Sequence, residues 1–186
     1  MDDNYLLSSS DHKTNFNDFI DYLKNKNLYN YSDYCSLHEW SVRNKRLFWK
    51  SIWDFTKING KYNEPVIEGE QNFIKSIFFK NSELNFASNL INRNDDNDAL
   101  VFYSEQRNSR RISWKELGIN INKIANYFKE TNIKQGDRIA AVLPNIPEAI
   151  IAFLGSAKIG AIWSSCSADF GTSAIIDRFK QISPRI

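Results

Sequence analysis

The sequence is poor in the residues that build small disulfide and metal scaffolds. It has two cysteines, two histidines and one methionine in 186 residues. Cys35 and Cys166 lie far apart, whereas a small secreted domain carries more cysteines at close spacings. No Cys-x-x-Cys or His-x-x-x-His occurs, which excludes the familiar zinc clusters. Charge of one sign is also lacking: 24 Lys and Arg stand against 22 Asp and Glu, a net charge of +2. No excess therefore points to nucleic acid or an anionic membrane surface. No apolar run approaches the roughly 18 residues that a membrane-spanning helix needs. The opening Met1-Asp2-Asp3-Asn4 is acidic and lacks the basic-then-apolar order of a secretory signal. These absences together predict a cytoplasmic protein in a reducing setting. Glycines are few, seven in all. None falls in a Gly-x-Gly-x-x-Gly after a strand, so the dinucleotide fingerprint is absent. Gly155 to Gly160 has the glycine spacing of a P-loop. Ala161-Ile162 stands where Lys-Ser/Thr is required, so the β- and γ-phosphates would lack their cation.

What is present is a globular composition: 42% hydrophobic, 14% aromatic and 25% charged. At about 100–200 residues per domain, the length fits one domain or one and a fraction. The chain holds 22 Asn, 22 Ile and 15 Lys, a bias toward AT-rich codons. That bias accounts for asparagines inside helical patterns, where their propensity is poor.

Along the chain, residues 1–33 read as a polar extension with one amphipathic patch, Phe16, Phe19, Ile20 and Leu23 at helical spacing. Residues 34–92 form an aromatic, mainly helical region. Ser41 to Phe55 suggests a helix with Ser41 as N-cap. Its Phe48, Ile52 and Phe55, flanked by Trp49 and Trp53, make an apolar face that must be buried. From residue 98 the rhythm changes. Ala99–Tyr103 and Arg111–Trp114 read as a hairpin. A helix over 115–131 follows, with Ser113 and Glu116 at capping-box spacing. Arg138–Leu143 is a strand, Pro147 opens a helix, Ala161–Ser164 is a strand, and Thr172–Ile182 is a helix. The order from residue 111 is β-α-β-α-β-α. Fold class is therefore α/β, with a parallel sheet flanked by helices, and residues 98–186 read as the incomplete start of such a domain.

In an open parallel sheet, ligands bind beyond the carboxyl ends of the strands. That makes Trp163 to Gly171 the best candidate wall of a site, with Trp163, Ser164, Ser165, Cys166 and Asp169 as its candidate residues. The plainer alternative is an Asp-Phe-Gly turn entering the next helix. Cys166 has no evident His or Lys partner to make it a nucleophile. His38, between Leu37 and Trp40, fits a structural hydrogen-bonding role better than a catalytic one. Arg107, Arg110 and Arg111 read as a solvated hairpin tip. No catalytic residue and no metal ligand is assigned.

Several segments together resemble one family. Leu37-His38-Glu39-Trp40-Ser41-Val42, Phe48-Trp49 and Ile52-Trp53-Asp54-Phe55 resemble the N-terminal cap region of acyl-CoA synthetases, as does Leu84 to Ile91. Ile112-Ser113-Trp114-Lys115-Glu116-Leu117 resembles the first core motif of adenylate-forming enzymes. Gly136 to Asn145, followed by Pro147-Glu148-Ala149, resembles the segment leading to the second. Trp163-Ser164-Ser165-Cys166-Ser167-Ala168-Asp169-Phe170-Gly171 is the most specific match and is similar to the acetoacetate–CoA ligase branch. Asp177 to Pro184 continues it. Ala168 departs from the proline expected there.

The resemblance spans about residues 34–186 and implies an N-terminal part of a ligase. Such enzymes activate a carboxylate with ATP as an acyl-adenylate, releasing pyrophosphate, and pass the acyl group to coenzyme A, releasing AMP. The implied substrate is acetoacetate, with acetate or propionate as the alternative acids. The implied cofactors are ATP, Mg2+ and coenzyme A, none held tightly by this stretch alone. The family's phosphate loop, ribose-binding Asp and catalytic Lys lie outside the matched motifs. The expected partner is the missing C-terminal part of the same enzyme. A different reading is a non-catalytic module that completes an enzyme in trans.

Overall fold

A computed structural model describes residues 14–105 and 109–186. The chain divides into two compact units, Met1–Glu83 and Leu84–Ile186.

The first unit is helical. Helices α1 (Asn15–Asn25), α2 (Tyr34–Arg43) and α3 (Lys45–Phe55) are followed by two-residue strands β1 (Gly60–Lys61), β2 (Ile67–Glu68) and β3 (Ile77–Phe78). Strands β2 and β3 pair antiparallel. Thr14 caps α1 through its hydroxyl, which accepts the Asn17 amide at 3.3 Å. Phe19, Leu23 and Leu37 are buried among Phe16, Trp40, Phe48, Ile52 and Phe55. The apolar face of α3 packs half-buried on α1 and α2, with Phe19 tilted against Phe55 at 5.1 Å and edge-on to Phe48 at 6.1 Å. Such ring pairs add to the area they bury.

The helix expected from Ser41 is in fact two. Asp33 caps α2 in a reciprocal capping box with Ser36. Asn44 leaves helical geometry at φ −118°, ψ 46° and separates α2 from α3. Ser41 lies inside α2, where its hydroxyl donates to the His38 carbonyl at 2.7 Å. Asparagine competes with the backbone for hydrogen bonds, and the Asn44 side chain donates to the Trp40 carbonyl at 3.0 Å.

The boundary strand β4 (Glu83–Leu84) leads to α4 (Phe86–Leu90) in the second unit. There the hairpin strands β5 (Asp98–Tyr103) and β6 (Ser109–Ser113) precede α5 (Trp114–Glu130), β7 (Arg138–Val142), α6 (Pro147–Lys158), β8 (Ile162–Cys166) and α7 (Thr172–Ile182). Ser113 caps α5, accepting the Glu116 amide at 3.2 Å. Pro147 fills the first turn of α6, where its missing N–H costs nothing. Helices α5 and α6 pack through Gly155, where an added Cβ would overlap Ile124 Cγ2. Ile112, Leu117, Ile121 and Leu154 close one core with Ala87. Phe128, Ile133, Ile139 and Ala161 close another, against which Trp163 packs.

Strands β7 and β8 are parallel, in register from Arg138↔Ile162 to Val142↔Cys166. Gly136 and Gly160 hold positive φ of 83° and 76°, and their backbones meet at 2.9 Å where the chain enters each strand. A side chain at either would be strained. Among the described residues, strand β6 does not extend this parallel sheet and pairs only with β5, antiparallel. Its buried residue, Ile112, is committed to the core under α5 and α6.

Beyond α7, the Arg138 guanidinium donates from Nε to the Ile182 carbonyl at 2.5 Å and from Nη2 to that of Ser183 at 3.3 Å. Ser183 turns the chain through the left-handed region at φ 45°. The Arg185 amide then donates to the Arg138 carbonyl at 2.7 Å, and the Ala140 amide to the Ile186 carbonyl at 2.8 Å.

Candidate functional site

The carboxyl ends of β7 and β8 lie side by side, which is where a parallel sheet presents its loops to ligands. Val142 faces Cys166 across the ladder, and the Leu143 amide donates to the Cys166 carbonyl at 3.1 Å. Pro144 stops β7 because it has no amide for the ladder. The following loop enters α6, and Ser167 to Gly171 enters α7.

The candidate wall is not one surface. Trp163 is half-buried and belongs to the core side of the sheet, against Ile139 and its neighbours. Cys166 is buried, 5% exposed. Ser164 is half-buried, whereas Ser165 and Asp169 are exposed. Asp169 sits in a turn whose amide lies 3.5 Å from Ser167 Oγ, and the Phe170 amide donates to the Ser167 carbonyl at 3.4 Å. The Arg178 guanidinium covers the Phe170 ring at 4.7 Å from its centroid, a cation–π contact that ties the turn to the middle of α7. The rim thus offers Ser165 and Asp169 to a ligand, with Trp163 and Cys166 packed behind them.

A second feature on this side is the ion pair between Arg110 Nη1 of β6 and Glu148 Oε1 of α6, at 2.5 Å. Sequence reading placed Arg110 on a solvated tip. No local spacing reveals a partner 38 residues away. The Arg110 hydrogen bond holds the Glu148 carboxyl below its ordinary pKa, against partial burial that pushes it up. Arg111 pairs with Asp98. Arg107 lies outside the described residues.

His38 is exposed on α2 in the first unit and lines an apolar cavity of about 340 Å³ with Phe16, Tyr34 and Phe48. Asn85, which carried no expected role, holds two helices. Its Oδ1 accepts the Ser88 amide at 3.0 Å, and its Nδ2 donates to the Ala157 carbonyl at 2.8 Å. Its place before an apolar helical run marks it as an N-cap, but its reach to the end of α6 left no mark in the sequence.

Among the described residues, no group of three His, Cys, Asp or Glu side chains is placed to hold a metal ion. Among them too, no helix is long and apolar enough to cross a membrane. The rim can contribute hydroxyl and carboxylate contacts to a ligand. Among the described residues it carries no nucleophile–base pair and no cationic clamp.

A profile of the family described as AMP-binding enzyme matches residues 88–186. An acetoacetyl-coenzyme A synthetase of Rhizobium meliloti (strain 1021) is 37% identical over 169 residues, covering 91% of this chain and 26% of that protein. An acetoacetyl-CoA synthetase of Xenopus tropicalis is 36% identical over 160 residues, covering 83% of this chain and 24% of its own length. A malonamoyl-CoA synthetase of Penicillium aethiopicum is 30% identical over 176 residues, covering 90% of this chain and 24% of its own. Among solved structures, the acetoacetyl-CoA synthetase from Streptomyces lividans superposes with a TM-score of 0.79 at 28% identity, over 89% of this chain and 26% of that one. The chain spans about a quarter of the length of the relatives it matches.

Proposed function

From the premise that the chain belongs to the AMP-binding enzyme family, we propose that it is the N-terminal portion of an acetoacetate–CoA ligase. Residues 34–92 are its cap region and residues 98–186 open its adenylate-forming domain. The observation that carries this reading is the match to acetoacetyl-CoA synthetases at 36–37% identity over most of the chain. The substrate class follows from two relatives' names taken together. Acetoacetate and malonamate are both short acids with a carbonyl β to the carboxylate, whereas acetate and propionate have none. The reaction joins the acid to coenzyme A and splits ATP into AMP and pyrophosphate.

This chain's own contribution is architectural. The β7–β8 ends form one wall, with Ser165 and Asp169 on its open side and Trp163, Ser164 and Cys166 fixing its backbone. The family's phosphate loop, ribose-binding Asp and catalytic Lys lie outside the motifs that this chain resembles, and in this reading ATP, Mg2+ and coenzyme A are held by the remainder of the enzyme. The two free thiols accord with a reducing, cytoplasmic setting.

ATP–pyrophosphate exchange with acetoacetate tests the reading on the purified 186-residue chain. It should stay at background. Exchange above background that depends on acetoacetate would overturn the assignment of the chain to a non-catalytic portion.

A further inference from the structure

We infer that Arg110 is a positioning residue: through Glu148 it fixes the start of α6, and with it the Pro144–Ile146 loop at the carboxyl end of β7. The inference rests on the reading that this chain is the N-terminal portion of an acetoacetate–CoA ligase. It adds a residue that shapes the ligand side of the sheet without touching a ligand.

The strand pattern gives Arg110 and Arg111 different tasks. Residues two apart on a strand share a face. Ile112 is fully buried in the core beneath α5 and α6, so Arg110 is turned toward the same helices. The cross-strand neighbours agree: Leu100 lies opposite Ile112 and packs on that core, and Phe102 lies opposite Arg110. Arg111 is on the other face and pairs with Asp98 inside the hairpin.

The start of α6 lacks a cap of its own. Its N-cap residue is Ile146, which has no side-chain oxygen to accept a first-turn amide. The Ile146 amide donates to the Pro144 carbonyl at 2.9 Å, and the Ala149 amide to the Ile146 carbonyl at 3.0 Å, so loop and first turn move together. The far end of α6 is held by side chains. Asn85 Nδ2 donates to the Ala157 carbonyl at 2.8 Å and to that of Lys158 at 3.2 Å, and Lys158 Nζ donates to Asn122 Oδ1 at 2.6 Å. Glu148 supplies the matching hold at the near end, accepting from Arg110 Nη1 at 2.5 Å. A carboxylate in the first turn also suits the positive end of the helix dipole. Both side chains are 49% exposed, so the pair adds little to folding stability. Its effect is on where the helix begins. The loop it holds leaves β7 beside the end of β8, where the Leu143 amide reaches the Cys166 carbonyl and the turn bearing Asp169 starts.

The test has two readouts. In the intact 186-residue chain, hydrogen exchange follows the Ile146 and Ala149 amides. Arg110→Gln and Glu148→Gln should each speed them about three- to fivefold, the most that a half-exposed pair transmits, while the Leu154 amide in the body of α6 keeps its rate. The double variant should be no faster than either single one, because the two side chains act as a pair. Arg111→Gln, which leaves Glu148 its partner, should change neither rate. The second readout uses Rhizobium meliloti acetoacetyl-CoA synthetase carrying this chain in place of its matched portion. There Arg110→Gln and Glu148→Gln should raise the KM for acetoacetate about three- to fivefold with kcat unchanged, again without adding. Unchanged exchange at Ile146 and Ala149, additive effects, an equal response to Arg111→Gln, or an active enzyme whose KM ignores both substitutions would overturn the inference. An inactive enzyme with the unsubstituted chain would count against the ligase reading, and the exchange pattern would then decide the positioning role by itself.

Discussion

Gly155→Ala tests how the second unit is held together, because two effects of opposite sign meet at one buried position. In an exposed helix, replacing Gly by Ala stabilises by about 1 kcal/mol through backbone entropy and propensity. Here the new methyl would overlap Ile124 Cγ2, with the Ala125 amide and Ile121 carbonyl of α5 each at 3.4 Å. Ile124 is stiff about χ1 in a helix, and the nearby backbone atoms cannot move without shifting α5. Overpacking of this kind costs about 1–3 kcal/mol. The net expectation is a loss of about 1–2 kcal/mol, or roughly 2–8 °C in Tm for a chain of this size. The assay is a double-mutant cycle by thermal and urea unfolding. Ile124→Ala removes the obstructing methyl, so in that background Gly155→Ala should turn neutral or stabilising by up to about 1 kcal/mol. A stabilising Gly155→Ala in both backgrounds would refute the close α5–α6 contact.

Asn85→Ala should cost about 1–3 kcal/mol, since it removes the N-cap of α4 and the donor to the end of α6 together. Asn85→Asp keeps the cap but sets a carboxylate against the Ala157 carbonyl, so chemical denaturation should find it less stable at pH 7 than at pH 4. The Tyr62 phenol is pushed up to about 12 by burial and by its hydrogen bond to Glu64. Raised above its ordinary value of 10.0, it contributes stability that is complete below pH 10 and lost as pH rises toward 12. Ultraviolet titration should show a latest-titrating tyrosine that disappears in Tyr62→Phe, while the raised Tyr22 and Tyr31 remain. The lowered pKa of Glu148 works the other way. Its stability is present above the ordinary value of 4.5 and is lost as pH falls through the depressed one. Glu148→Gln should abolish that acid-side loss, which stays below about 1 kcal/mol because both partners are half-exposed. Cys35 is exposed and Cys166 buried. A thiol reagent should therefore modify one cysteine fast and the second only on unfolding, and two fast thiols would contradict the placement of β8.

The regular elements of the second unit were legible because their ends carry local chemistry. Ser113 caps α5, Pro147 opens α6, and the glycines at 136 and 160 mark the entries to β7 and β8. What the sequence hid was tertiary. Asn44 divides one apparent helix into two, a competition between side chain and backbone that apolar periodicity does not register. Strand β6 looks like the first strand of the parallel sheet, yet its pairing with β5 and the commitment of Ile112 to the α5–α6 core keep it apart. At the candidate wall, Trp163 and Ser165 share a face of β8, yet Trp163 packs against the core while Ser165 and, in the turn beyond the strand, Asp169 stay exposed. The motif marked the right turn but not which side chains face outward. The Arg110–Glu148 and Asn85–Ala157 links join distant segments, and no pattern within either segment announces them.

The central claim is tested most directly by grafting. The chain replaces its matched portion in Rhizobium meliloti acetoacetyl-CoA synthetase, and thioester formation is measured with acetoacetate, malonamate, acetate and propionate. The account predicts a folded chimera that forms acetoacetyl-CoA, prefers acids with a β-carbonyl, and loses apparent affinity for acetoacetate on Ser165→Ala or Asp169→Asn. A folded chimera that prefers acetate or propionate, or that uses none of the four acids, would contradict it.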